Sequence, residues 1–139
     1  MRWMRYFNPR SRARTIWKRF IWVVNEHTRT LPDFIIIGVQ RAGTTSLYNY
    51  LIQHPQVIPA RKKEVHYFDN RFHNGIGWYK GFFPLRFGAA SRSITGEATP
   101  YYIFHPLSAE RVAQTAPEAR LIVLLRNPVD RAYSHYHHE

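Results

Sequence analysis

The most constraining stretch of the chain is Phe34-Ile35-Ile36-Ile37-Gly38-Val39, an apolar run rich in β-branched residues, followed at once by Gln40-Arg41-Ala42-Gly43-Thr44-Thr45. Without polar alternation, such a run predicts a strand buried on both faces, as a parallel sheet requires. Leu47, Tyr48, Leu51 and Ile52 then recur at helical spacing over residues 44–53, and His54-Pro55 ends the pattern. Strand, glycine-bearing loop and helix in that order predict an α/β fold. Ligands of such folds sit at the carboxyl ends of the strands.

A second buried strand is expected at Leu121-Ile122-Val123-Leu124-Leu125. Residues 107–116 ahead of it read as a helix, with Ser108 or a near neighbour as N-cap and Pro117 as terminator. Asn127-Pro128 makes a turn, and another helix starts at Val129. Residues 57–96 show no regular period. Gly75, Gly77, Gly81 and Gly88 lie there among Trp78, Tyr79, Phe82, Phe83 and Phe87, which predicts loops and short helices with aromatic plugs. The expected architecture is a P-loop-like three-layer fold, a central parallel β-sheet flanked by helices. Such a sheet normally takes more strands than these two, and the chain stops at His138-Glu139 in mid-helix. The fold is therefore expected to be incomplete at its C-terminus.

With 139 residues the chain has room for one domain with a real core, and 45% apolar against 21% charged residues is globular composition. The absence of cysteine excludes a disulfide framework and a cysteine zinc site, and it fits a reducing compartment such as the cytoplasm. The net charge of +11 is concentrated early: residues 1–30 carry eight arginines and lysines against one acid, Glu26. Residues 1–31 thus read as a basic leader and 32–139 as the domain. Such a leader attracts polyanions, acidic lipid among them. Phe20-Ile21-Trp22-Val23-Val24 is far shorter than the ~20 apolar residues of a membrane span, and no small-residue cleavage pattern follows it. Residues 17–24 have two readings, a basic amphipathic helix resting peripherally on a membrane or a helix packed on its own domain.

The loop from Gly38 to Thr45 has the frame G-x-x-x-x-G with hydroxyls at the helix start. Glycines let backbone approach a phosphate, and the free N–H groups of a new helix point at the anion. The lysine that a nucleoside-triphosphatase loop carries right after its second glycine is absent. Thr44 stands there, and the basic residue comes earlier, at Arg41. This argues against a β/γ-phosphate held with Mg²⁺. The plain alternative is a strand-to-helix turn with Gly and Thr for geometry alone.

Residues 34–51 resemble the 5′-phosphosulfate loop of sulfotransferases that use 3′-phosphoadenosine-5′-phosphosulfate (PAPS), above all the heparan-sulfate-type carbohydrate enzymes. Arg41 holds the position of their usual lysine. Arg61-Lys62-Lys63-Glu64-Val65-His66-Tyr67-Phe68-Asp69 is similar to their Lys-Glu-x-His-Phe-Phe-Asp signature. The resemblance implies Glu64 as general base, with His66 and Asp69 shaping the acceptor site. A third likeness is Arg126-Asn127-Pro128, with Ser134 eight residues after the arginine, which implies Arg126 and Ser134 as 3′-phosphate ligands. Arginine suits that task through bidentate, charge-assisted bonds. Alternatively, Arg126 pairs with Asp130 and only fixes the turn. Gly96-Glu97-Ala98-Thr99-Pro100 departs from the family, which often places a lysine where Ala98 stands.

The resemblance implies a sulfotransferase that moves a sulfuryl group from PAPS to a hydroxyl or amine, most naturally of a carbohydrate, and releases adenosine 3′,5′-bisphosphate. Arg41, Ala42, Gly43, Thr44, Thr45, Ser46, Arg126 and Ser134 would bind the nucleotide, and Glu64, Arg41 and His66 would serve catalysis. His135, His137 and His138 do not share one helical face, so no metal is expected; nor is nucleic acid. The rival readings are a truncated fragment that binds nucleotide without transfer, a small-molecule P-loop kinase, and a polyanion- or membrane-binding protein driven by the leader.

Overall fold

β-Branched and apolar residues do form the central strand. In the computed structural model, which describes residues 9–87 and 92–137, strand β1 spans Phe34–Gly38 with Ile35 and Ile36 fully buried. Gly88, His138 and Glu139, named above, lie outside the described residues. Side chains alternate along a strand, so Ile35 and Ile37 face one layer and Phe34 and Ile36 the other. The first layer holds Val65, Tyr67, Phe68, Tyr79, Phe83, Tyr102 and Val112. The second holds Tyr48, Val57 and Ala98, with Leu47 and Leu51 packed against it.

Four parallel strands make the sheet. With β2 at Val57–Pro59, β3 at Ile94–Ala98 and β4 at Arg120–Val123, the order is β2-β3-β1-β4. The register sets Ile35 beside Glu97 on one side and beside Leu121 on the other. Helix α2, Thr44–Leu51, follows β1 directly. A 3₁₀ turn at Phe72–Asn74 and helix α3, Ile76–Lys80, carry the aromatic middle of the chain. Helix α4, Ser108–Thr115, leads into β4, and α5, Pro128–Tyr136, leaves it. The Asn127 side chain caps α5 by accepting from Val129 N (2.9 Å) and Asp130 N (3.4 Å).

Two expectations need correction. The stretch read as loops and short helices contains β2 and β3, and β3 is an inner strand. Its inward groups are Thr95 and Glu97, a pattern that periodicity of apolar residues cannot register. The strand expected to be buried at 121–125 is instead an exposed edge: among the described residues β4 pairs only with β1, and Leu121, Val123 and Leu125 face solvent. The N-cap of α4 falls on Leu107, the neighbour of Ser108, with no side-chain bond, and the buried Ser108 hydroxyl has no partner among the described residues.

The basic leader contains a helix longer than residues 17–24, α1, Pro9–Thr28. It packs on α3. A Cβ on Gly77 would overlap the Trp22 carbonyl oxygen, so only glycine lets the two backbones approach this closely. Lys80 Nζ donates to the Glu26 carbonyl (2.8 Å) and Arg29 Nη1 to that of Phe83 (2.5 Å). The opposite side of α1 exposes Trp17, Phe20, Ile21 and Val24. Both readings of this segment thus have a face.

Candidate functional site

The loop after β1 turns on Gly43, whose φ of 91° is left-handed, and α2 begins at Thr44. The first backbone bond of the helix is donated by Leu47 N to Gly43 O (3.0 Å). Ahead of it stand the N–H groups of Thr44, Thr45 and Ser46, the ones a helix start leaves for an anion. A Cβ built on Gly43 meets no atom within 4 Å, so the space above the loop is open. Arg41, also left-handed at φ 67°, sends Nε to the Ser134 carbonyl (3.2 Å). Arg126 Nη1 returns a bond to the Arg41 carbonyl (3.0 Å). Loop and third segment are thereby tied at their backbones, although 85 residues separate Arg41 from Arg126. No ion pair joins Arg126 to Asp130 among the described residues.

Two neighbouring cavities follow. One, of about 250 Å³, lies between the loop and α5 and is lined by Arg41, Gly43, Thr44, Thr45 and Ser134. The other, of about 300 Å³, shares Arg41, Thr44 and Thr45 and adds Glu64, Pro100 and His135. Residues far apart in the chain thus border one cleft at the carboxyl end of β1, where an α/β sheet places ligands.

Glu64 stands in a short polar chain. Lys63 Nζ donates to Thr45 Oγ1 (3.0 Å) and to Glu64 Oε1 (3.4 Å). His66 Nε2 lies 3.2 Å from Glu64 Oε2, and His66 Nδ1 lies 2.7 Å from Asp69 Oδ2. The carboxylate of Asp69 is buried and also accepts from Asn70 N (2.6 Å), while Arg111 Nη1 donates to the carbonyls of Phe68 (2.7 Å) and Asp69 (2.9 Å). An imidazole gripped at both nitrogens by carboxylates has its ring plane set, which is how second partners orient a catalytic histidine.

Residues 31–139 match the sulfotransferase domain family. The chain belongs to that family. Over 107 residues it is 46% identical to the membrane-associated sulfotransferase kil1 of Dictyostelium discoideum, covering 77% of this chain and 23% of that protein. Over 128 residues it is 38% identical to the human bifunctional heparan sulfate N-deacetylase/N-sulfotransferase 3, covering 87% of this chain and 14% of that one. The crystal structure of a sulfotransferase from Alicyclobacillus acidocaldarius superposes with a TM-score of 0.66 at 34% identity, over 78% of this chain and 50% of that chain. The chain thus spans under a quarter of the first curated relatives it matches and half of the solved one.

Within this sulfotransferase fold, the residues expected from sequence fall into two groups, with Ala42 and Ser46 in neither, since they are not among the lining residues. Arg41, Gly43, Thr44, Thr45, Glu64 and Ser134 line the cleft. Arg126 braces it through the Arg41 carbonyl, and His66 and Asp69 stand behind Glu64. Ala98 is fully buried in the layer containing Tyr48. Two residues carry more than the sequence assigned them. Lys63 stands in the Lys-Glu signature with no role of its own, yet its amine bonds both Thr45 and Glu64. Glu97 shows no sequence signal beyond its place in the Gly-Glu-Ala-Thr-Pro segment.

Proposed function

We propose that the protein transfers the sulfuryl group of PAPS to a hydroxyl or amine of a carbohydrate, with residues 32–139 as the N-terminal part of a sulfotransferase domain behind the basic leader 1–31. One observation carries this: Glu64 and the anion-binding start of α2 border the same cavity of about 300 Å³. The heparan sulfate relative's name supports the acceptor class. The chain's residues fit the donor. The N–H groups of Gly43, Thr44, Thr45 and Ser46, next to Ala42, would hold the 5′-phosphate under the open space above Gly43. Arg41 and Lys63 would face the sulfuryl oxygens, and Ser134 with Arg126 the 3′-phosphate.

PAPS supplies a sulfuryl group on a good leaving phosphate. With PAPS bound, Glu64 would take the proton of the acceptor as the acceptor displaces the 5′-phosphate from sulfur, and adenosine 3′,5′-bisphosphate would leave with the electron pair. A base in place contributes roughly 10²–10⁴-fold. His66, held by Asp69, keeps the Glu64 carboxylate aimed. Transfer of this kind rests on positioning and on stabilising charge that spreads over equatorial oxygens.

The test is thermal stabilisation by adenosine 3′,5′-bisphosphate against ADP, each with and without Mg²⁺. A metal-independent shift for the bisphosphate only, lost in Arg126→Ala, is expected. Equal shifts for both nucleotides, or a shift that needs Mg²⁺, would favour the kinase reading.

A second reading concerns α1. Its exposed Trp17, Phe20, Ile21 and Val24, on a leader rich in arginine, suit an anionic lipid surface, in keeping with the membrane association named for the Dictyostelium relative.

A further inference from the structure

Glu97 is fully buried on the inner strand β3 and belongs to none of the ion pairs among the described residues. Burial alone pushes its carboxyl up from the usual range, partly offset by hydroxyl donors. A carboxylate in such a place is costly unless it is hydrogen-bonded. Three hydroxyls bond it. Tyr79 Oη donates to Oε1 (2.6 Å), Tyr102 Oη to Oε1 (3.1 Å) and Thr99 Oγ1 to Oε2 (2.7 Å).

Two of those hydroxyls do something further. Thr99 Oγ1 accepts from Val65 N (3.1 Å), and Tyr102 Oη accepts from Tyr67 N (2.9 Å). A hydroxyl that accepts from an amide keeps its own proton, which Thr99 and Tyr102 can turn to the Glu97 carboxyl. Backbone N–H groups only donate, so the direction of each relay is fixed from amide to hydroxyl to carboxylate. The two amides flank His66. That residue has φ 59°, a left-handed conformation that costs a non-glycine residue energy and persists only where neighbours impose it.

We propose that Glu97 is a positioning residue: through Thr99 and Tyr102 it holds the backbone on either side of His66, and so sets the imidazole between Glu64 and Asp69. The inference rests on Glu64 as the base and adds the device that aims it. It also gives the polar interior of β3 a purpose, since an apolar strand would pack as well but could not clamp two amides.

The test uses Thr99→Val, nearly equal in volume, Thr99→Ser, which restores the hydroxyl, and Tyr102→Phe, which removes the other arm. Long-range ¹H–¹⁵N spectra of the imidazoles, with His66 assigned by its loss in His66→Gln, report ring tautomer and hydrogen bonding directly. Thr99→Val should move the His66 nitrogen signals, and Thr99→Ser should bring them back. Affinity for adenosine 3′,5′-bisphosphate should stay unchanged. In a transfer assay kcat should fall about 10²-fold, the cost of a small misplacement, while KM for PAPS holds. Should Thr99→Val not fold, Tyr102→Phe reads the same signals with the Thr99 arm intact. Unmoved His66 signals in a folded variant, whatever its melting temperature, would overturn the proposal. If the unaltered protein transfers no sulfuryl group, the proposed function fails, and the imidazole spectra still decide the positioning role.

Discussion

At the scale of single residues, one cation beside the cleft touches both the loop and the Glu64 carboxylate. The Lys63 side chain is about one quarter exposed and that of Glu64 about one third. Their pairing is therefore worth little to stability, typically below about 1 kcal/mol. Its value lies in charge that appears only during transfer. Ala98 is buried among Phe34, Ile36 and Tyr48, so position 98 offers no cation to the cleft, whereas the Lys63 amine bonds two of its lining residues, Thr45 and Glu64. Lys63→Met should leave the melting temperature and the affinity for adenosine 3′,5′-bisphosphate nearly unchanged. Transfer should slow by roughly 10²–10³, the loss seen when a preorganised donor to a developing charge is removed. Calorimetry with the bisphosphate beside single-turnover transfer separates the outcomes. Equal losses of binding and transfer would make Lys63 a nucleotide anchor instead. Lys63, Glu64 and His66 stand together in one signature in the sequence, but only the course of the loop, which sequence spacing does not show, brings Thr45 to the Lys63 amine.

Among elements, legibility followed the chemistry of the buried face. The strand β1 and helix α2 were plain because apolar groups fill both faces of one and a stripe of the other. The strand β3 was hidden because Thr95 and Glu97 turn inward, and the tyrosine and threonine hydroxyls that satisfy Glu97 lie at 79, 99 and 102. The edge strand β4 misled in the opposite sense: an apolar run was read as buried, yet its neighbours leave Leu121 and Val123 in solvent. The junction of α1 and α3 was equally silent, since a glycine in an aromatic-rich stretch gives no hint of what crosses it. At Gly77 the two effects of an added methyl oppose one another. Alanine favours the helical backbone by roughly 1 kcal/mol. Overlap with the Trp22 carbonyl, which is backbone and cannot swing aside, costs up to about 3 kcal/mol. Packing should win, and Gly77→Ala should lose about 2 kcal/mol, read as a lower urea midpoint at unchanged slope. A stabilised variant would mean that α1 shifts freely on α3.

For the molecule as a whole, the question is what the uneven charge and the unpartnered side of α1 do together. No helix among the described residues is long and apolar enough to cross a membrane. Trp17, Phe20, Ile21 and Val24 instead recur at intervals of three and four on one side of α1, opposite the side that Trp22 turns to α3. Residues 1–30 add eight basic groups and a single acid. Apolar contact alone would suit a second copy of the chain as well as a bilayer; the positive charge does not, since two such leaders repel. Anionic lipid satisfies both terms, with each basic group near the surface contributing about 1 kcal/mol and each buried aromatic side chain roughly 1.5–3 kcal/mol. The protein should therefore sediment with vesicles of phosphatidylcholine and phosphatidylglycerol, and far less with phosphatidylcholine alone. Raising the salt should weaken binding steeply, because the Debye length shrinks to about 3 Å at 1 M. Phe20→Ser should weaken it by about tenfold or more without altering the response to adenosine 3′,5′-bisphosphate, since that residue lies outside the cleft. Binding that ignores lipid charge, or a salt-stable dimer in place of vesicle binding, would assign the exposed side of α1 to another partner.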